Sequence, residues 1–448
     1  MRRLAFLAAL IFLAPAWAGA NGQGTDSLTV GEAVRRAVEN HPLVDQASQT
    51  IRAARARIAE SRSAYYPFIE AELSYTRLGP VPELTFPGLG AFKLYPENNF
   101  DEHLSLRQTV YDFGKTDAAV SMSRSGVRLA RDNLAFVKTT LAFQTIQSFY
   151  AVLFLRESIV VQDQQIDALV QHLSATQKKQ QSGTATDFDV LTTQVRIAAA
   201  QNRKIDLRNN LERQEASFRR FIGLPPGEEV RLRGAFDTAL ISLNDDSLMA
   251  AAGERRIELK QSADTERAAV LQERFASKRD NPAISVNLAY GAKNGFQPDI
   301  DEQLGNWVLG IEARVPIFDG FLTSSSRREA RAALRAAEAR TRDVERLVVA
   351  EVQQAISDAR SAAEKIGTSE LQVEQARQAL DMAIVRYESG VITNLDVIDA
   401  EAALAEARLS YLQSLYLYEV SRYALERAVG GNLLFEQAAR SPGRRQAR

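Results

Sequence analysis

The feature that most constrains this chain is an internal duplication: two halves carry the same landmarks in the same order without a gap over their longest stretch. Val110-Tyr111-Asp112 corresponds to Ile317-Phe318-Asp319, Ser182-Gly183 to Ser389-Gly390, Asp189-Val190 to Asp396-Val397 and Gly223 to Gly430. All lie at a spacing of 207 positions, as 319 against 112. Upstream the spacing becomes 215, with Gln46 on Gln261, Pro67 on Pro282 and Tyr75 on Tyr290. The first half therefore holds extra residues between Tyr75 and Tyr111, which a loop absorbs. One structural unit is written twice, over 21–224 and 247–430, joined by a linker at 225–246.

Each unit opens with a stretch of helix formers (Gly31 to Ser63; Ser247 to Lys278) that a proline ends, predicting one helix of about 30 residues. Period-two segments follow. Ile69, Ala71, Leu73 and Tyr75 oppose Glu70, Glu72, Ser74 and Thr76, and Ile284, Val286, Leu288 and Tyr290 oppose Ser285, Asn287 and Ala289. In the second strands, Leu104, Leu106 and Val110 oppose Ser105, Arg107 and Thr109; Trp307, Leu309, Ile311, Ala313 and Val315 oppose Glu312 and Arg314. Gly114–Leu224 and Gly320–Gly430 are then nearly free of helix breakers, each punctuated near its far end by Ser182-Gly183-Thr184 or Ser389-Gly390-Val391. Glycine there suits the left-handed end of a helix, so each stretch is a helical hairpin. Its first arm, about 65 residues, would be roughly 100 Å long and needs partners along its length. Leu134, Val137, Leu141, Ile146, Phe149, Leu153, Ile159 and Ile166 supply the apolar spacing of packed coiled helices. The linker carries a short extended candidate at Glu229–Leu232.

The amino-terminal segment, with Arg2 and Arg3 before an apolar run to Leu13 and small residues at 16–20, predicts a secretory signal peptide at 1–20. That run is about half the ~20 residues a spanning helix needs, and no later segment is long enough. There is no cysteine, so disulfides, thiolate chemistry and a lipid on cysteine are excluded. The three histidines, His41, His103 and His172, lack ligand spacing, which leaves no metal or cofactor expected. Lys+Arg (55) balance Asp+Glu (56), which gives nothing for nucleic acid. No nucleophile elbow or phosphate-cradling glycine loop appears, so an enzyme is not expected. The basic end at 431–448 predicts a tail.

Exported strands with one apolar and one charged face match an outer-membrane barrel, and four strands cannot close one. Three chains would supply about twelve, enough for a wet lumen that solvates Glu70, Glu72, Arg107 and Arg314. The fold class is α+β and mainly α, and the expected assembly a homotrimer. The competing reading is a soluble periplasmic coiled-coil adaptor or scaffold.

Val315-Pro316-Ile317-Phe318-Asp319-Gly320 and Tyr387-Glu388-Ser389-Gly390, running on to Asp396-Val397-Ile398-Asp399-Ala400, resemble the TolC-type outer-membrane efflux family over nearly the whole mature chain. The resemblance implies a twelve-stranded β-barrel continuous with a periplasmic α-barrel. It also implies a passive export duct in a Gram-negative outer membrane, bounded by lipid, working with a periplasmic adaptor and an inner-membrane transporter. By the same resemblance, the turns Ser182, Gly183, Thr184 and Ser389, Gly390, Val391 form the tip where adaptors dock. Asp396 and Asp399 match a ring of inward carboxylates, with Asp187 and Asp189 at the equivalent end of the first hairpin, and Tyr387 matches a gate tyrosine. Capping is read as explaining Asp187 alone, Asp396 and Asp399 lying a turn or two inside their helix. Where some members carry a basic gate residue, this chain has Ile392.

Overall fold

The computed structural model describes residues 27–431, apart from 87, 89, 238 and 240–243. The expected signal peptide and most of the expected tail lie outside the described residues.

The opening helix of each unit is broken in two. In the first unit, α1 (Val30–Asn40) ends at His41, whose backbone is extended (φ −72°, ψ 132°), and α2 (Pro42–Arg62) begins with a proline. Proline costs nothing there, because the first amides of a helix have no partner within it, and His41 Nδ1 accepts the Leu43 N–H at 3.2 Å. This corrects the single-helix expectation. Strand β1 (Phe68–Arg77) follows, then a hairpin not foreseen in the sequence, β2 (Glu83–Phe86) and β3 (Gly90–Lys93), which occupies the longer first loop. β4 (Asn98–Tyr111) leads into α3 (Lys115–Gln181), and α4 (Asp187–Ile222) returns.

The second unit repeats the order: α5 (Asp245–Arg255), α6 (Ile257–Ala276), β5 (Ala283–Lys293), β6 (Leu304–Arg314), α7 (Leu322–Glu388) and α8 (Asn394–Ala428). Both long arms have 67 residues and start 207 positions apart, so each runs about 100 Å. Each long arm leaves its strand through two left-handed residues, Phe113 and Gly114 in one unit and Gly320 and Phe321 in the other. The aspartates of the strand-end motifs hold this turn. Asp112 accepts the N–H groups of Gly114 and Thr116, and Asp319 that of Thr323 at 2.7 Å.

The strands form one antiparallel sheet in the order β1-β4-β5-β6. The central β4–β5 pair joins the two units, so neither half makes the wall alone. Ile69, Leu106, Leu288 and Leu309 share a row, as do Ala71, Leu104, Tyr290 and Trp307. A bulge between Thr109 and Tyr111 lets Tyr111 pair with Ile284 and leaves Val110 out of the ladder, which corrects its expected alternation with Leu104 and Leu106.

The main core lies where the hairpins meet the opening helices. Phe149, Ile146, Val152 and Phe218 are fully buried there with Val34, each worth about 1.5–3 kcal/mol relative to exposure. The linker is strapped onto this core: Val230 is buried, and a Cβ on Gly234 would stand 3.0 Å from the Phe149 ring. Its extended candidate is not a strand but a single parallel bridge, Leu232 with Leu28.

Candidate functional site: the hairpin tips and the strand wall

Both hairpin tips are built by the same local rule. The long arm ends when a glycine takes a left-handed conformation, Gly183 at φ 78° and Gly390 at φ 77°. Two backbone bonds then close each stop: Thr184 N–H to Lys179 O at 2.8 Å and Gly183 N–H to Gln180 O at 2.9 Å, matched by Val391 to Arg386 and Gly390 to Tyr387. Ser182 and Ser389 turn their hydroxyls back onto helix carbonyls, at 2.9 Å and 3.1 Å. Ser182, Thr184, Ser389 and Val391 are exposed at these ends.

The return helices begin with reciprocal caps. Thr186 N–H donates to Asp189 Oδ2 at 2.9 Å while Asp189 N–H donates to Thr186 Oγ1, and Thr393 and Asp396 do the same at 2.7 Å and 3.4 Å. Asp396 is therefore the third residue of α8, not a turn or more inside it, and its carboxylate satisfies the Thr393 amide, which the helix leaves free. The Thr393 hydroxyl and N–H hold its carboxyl below the usual carboxylate range. Capping thus explains Asp189 and Asp396, which corrects the expectation that it would explain Asp187 alone. Asp187, the first residue of α4, accepts from Gln180 Nε2 at 2.5 Å within its own hairpin. Asp399, a turn further on, is exposed and meets Arg196 of the other hairpin at 3.2 Å.

Tyr387 is buried, not free at the end. The Lys179 ammonium sits 4.0 Å from its ring centroid and donates to its carbonyl at 2.6 Å, His172 packs at 5.2 Å, and the Thr176 hydroxyl is 3.4 Å from its phenol. Ile392 packs against the apolar cluster of Leu380, Tyr387, Val397 and Leu404. The structure thus brings Tyr387, Asp189, Asp396 and Asp399 to one end, and adds Lys179, Arg196, His172 and Asn394. Sequence reasoning missed these four because each acts through a partner about 200 positions away, a relation that no local pattern carries.

At the opposite end, the sheet separates its faces. Trp307 is 69% exposed and Ile311 78%, on the face shared with Tyr290 and Leu309. The other face carries Glu70, Glu72, Asp101, His103, Arg107, Asn287, Asn306, Glu312 and Arg314 in alternating rows. Arg107 donates to Asn287 at 3.2 Å, Arg314 pairs with Glu312 at 2.7 Å, and His103 Nε2 lies 2.9 Å from Asn306 Oδ1. Such a face needs water, since unpaired charge in an apolar medium costs several kcal/mol. Among the described residues, β1 and β6 each have one edge with no partner strand. Among the described residues no helix is long and apolar enough to cross a membrane, and no cluster of three or more metal-ligating side chains occurs.

The sequence profile described as outer membrane efflux protein matches residues 33–224 and 248–431, the same two units. The alkaline protease secretion protein AprF of Pseudomonas aeruginosa is 25% identical over 398 residues, covering 85% of this chain and 80% of that protein. The outer membrane protein TolC of Salmonella enteritidis is 21% identical over 353 residues, 74% of this chain and 69% of its own. The crystal structure of the CmeC outer membrane channel of Campylobacter jejuni superimposes with a TM-score of 0.79 at 14% identity, over 91% of this chain and 86% of that one. The profile spans both repeats, the fold agrees along its length, and this chain therefore belongs to the outer membrane efflux protein family, the export channels of the outer membrane.

Proposed function

We propose that three copies of this chain assemble into one duct that passively carries cargo across the periplasm and outer membrane of a Gram-negative bacterium. The observation that carries this reading is the four-stranded sheet, unpaired at both edges, with one apolar and one charged face. Free edges cannot stay open in lipid, because every backbone donor and acceptor there needs a partner. Joining β6 of one copy to β1 of the next satisfies both, and three copies give about twelve strands around a water-filled lumen. Lipid then meets Tyr290, Trp307, Leu309 and Ile311, while Glu72, His103 and Arg107 face water. No observation favours the adaptor alternative, which has no use for such a wall.

The hairpins extend the lumen into the periplasm as an α-barrel, and their ends dock a periplasmic adaptor through Ser182, Gly183, Thr184, Ser389, Gly390 and Val391. An inner-membrane transporter supplies the energy. Asp396 and Asp399 of three chains line the narrow end, Asp187 and Asp189 stand at the neighbouring turns, and Tyr387 packs behind them. Crowded carboxylates attract cations, so the end favours cationic species. In planar bilayers, the Asp396→Ala, Asp399→Ala variant is expected to conduct more than wild type and to lose much of its block by multivalent cations. Unaltered block would remove the carboxylates from the lumen; a stable water-soluble monomer of the exported wild-type protein would remove the duct itself.

A further inference from the structure

Asn394 opens α8 yet is only 3% exposed. Its side-chain amide makes four hydrogen bonds, all to the other hairpin. Oδ1 accepts from His172 Nε2 at 2.6 Å and from Thr176 Oγ1 at 3.3 Å. Nδ2 donates to Asp189 O at 3.1 Å and to Thr193 Oγ1 at 3.2 Å. A primary amide has two N–H groups and two lone pairs on oxygen, so each has a partner, the last through the Thr176 hydroxyl, whose single proton is shared with the His172 carbonyl at 3.0 Å. The Asp189 carbonyl can only accept, which fixes Nδ2 on that side and makes His172 Nε2 the donor on the other.

The repeat mate supplies the contrast. At the first tip, Gln180 and Asp187 bond each other within one hairpin. Their counterparts, 207 positions on, are Tyr387 and Asn394, and both turn instead into the first hairpin, toward His172, Thr176, Lys179 and Thr193. The first tip is closed on itself, whereas the second is seated on its neighbour.

We propose that Asn394 is a positioning residue for the tip: a saturated, buried amide clasp that seats the second hairpin on the first and so sets where Asp396 and Asp399 stand. The clasp takes hold of α4 through the carbonyl of Asp189, inside the first turn whose cap is Thr186. Asn394 lies two residues before Asp396. Both capped carboxylates are thereby fixed relative to each other, and the Arg196–Asp399 pair continues the same contact upward. An amide that has filled its bonds in a buried site has no cheap half-released state, because each freed donor or acceptor would lie without water. The second hairpin therefore leaves the first as one step rather than by gradual sliding.

The part of this inference that concerns conduction rests on the duct reading; the clasp itself does not. Hydrogen exchange over residues 389–400, in the purified membrane-reconstituted protein, reads the clasp without any current. Asn394→Leu is expected to speed exchange there roughly tenfold, leave the first turn at 182–186 unchanged, and weaken multivalent-cation block in bilayers. His172→Phe should produce part of the same effect, and the double variant should fall short of the two combined, since both remove one contact. Should Asn394→Leu give no extractable protein, Thr193→Val removes one of the four bonds at nearly constant volume and is read the same way, at about threefold. Unchanged exchange in the variant that folds overturns the clasp. Faster exchange with cation block untouched overturns its positioning role. A wild type that exchanges slowly at 389–400 yet passes no current keeps the clasp and removes the duct.

Discussion

His41 and Arg256 occupy equivalent places, 215 positions apart, and the helix breaks at both, but the two breaks are made by different physics. At His41 the cause is local and covalent: Pro42 cannot donate an amide, and the residue before a proline is pushed out of the helical region. At Arg256 there is no proline. Its backbone turns out of the helix at φ −66° and ψ 123° because its guanidinium is drawn into the core, where it bonds Glu258 at 2.7 Å, the Ala428 carbonyl at 2.9 Å and Glu351. One bend is written in the chain's stereochemistry and the other in its tertiary contacts. A shape kept through duplication can thus be carried by a new cause.

The sharpest way to break this comparison is to remove each cause in turn. Arg256→Ala takes a buried guanidinium away from the half-buried Glu258, the more exposed Glu351 and the Ala428 carbonyl at the end of α8, and should cost roughly 2 kcal/mol. Pro42→Ala removes a residue that only pre-shapes the bend, and should cost less than about 1 kcal/mol. Thermal unfolding of the detergent-solubilised protein measures both. Equal losses would mean that the first bend is also held by packing.

These two positions show how much could be read without coordinates. The repeat register was legible because glycine turns and strand alternation are local signals, and the long arms do begin 207 positions apart. The break at Pro42 was legible in principle, since histidine then proline interrupts a helical run, but the run's composition favoured one helix. The break at Arg256 was not, because its partners at 351 and 428 lie far along the chain. At the tips, the glycines and the cluster of aspartates were legible. The capping contacts of Asp189 and Asp396 were missed because an aspartate three residues after a threonine can close a cap as a glutamate does. Asn394 was silent for the same reason as Arg256.

The second comparison is between the glycines that end the return helices, Gly223 and Gly430, each left-handed and each set against its unit's bend. A Cβ on Gly223 would meet only the Asn40 Cβ at 3.8 Å, whereas one on Gly430 would lie 2.7 Å from the Arg255 carbonyl carbon. Gly223→Ala should cost about 1 kcal/mol, the price of the backbone conformation alone. Gly430→Ala should cost about 2 kcal/mol, because backbone must also move. The same unfolding series checks this, and a reversed order would show that the second bend yields more easily than the first.

The smallest expected difference concerns protons. Burial, with Arg220 adding to it, keeps the pKa of His41 below the ordinary histidine value, which is about 6.5 in an unfolded chain. Where the folded pKa is depressed, the unfolded chain binds the proton more readily. The first bend's contribution is therefore complete above the ordinary value and shrinks as pH falls through it. Arg256 stays charged throughout that range, so the second bend has no such dependence. His41→Asn keeps an acceptor for the Leu43 amide and removes the titration. Relative to wild type, this variant should gain stability between about pH 6.5 and 5, while His172 titrates alike in both proteins and cancels. A constant difference across that range would mean that the imidazole reaches water in the folded protein, and that the first bend, like the second, does not respond to pH.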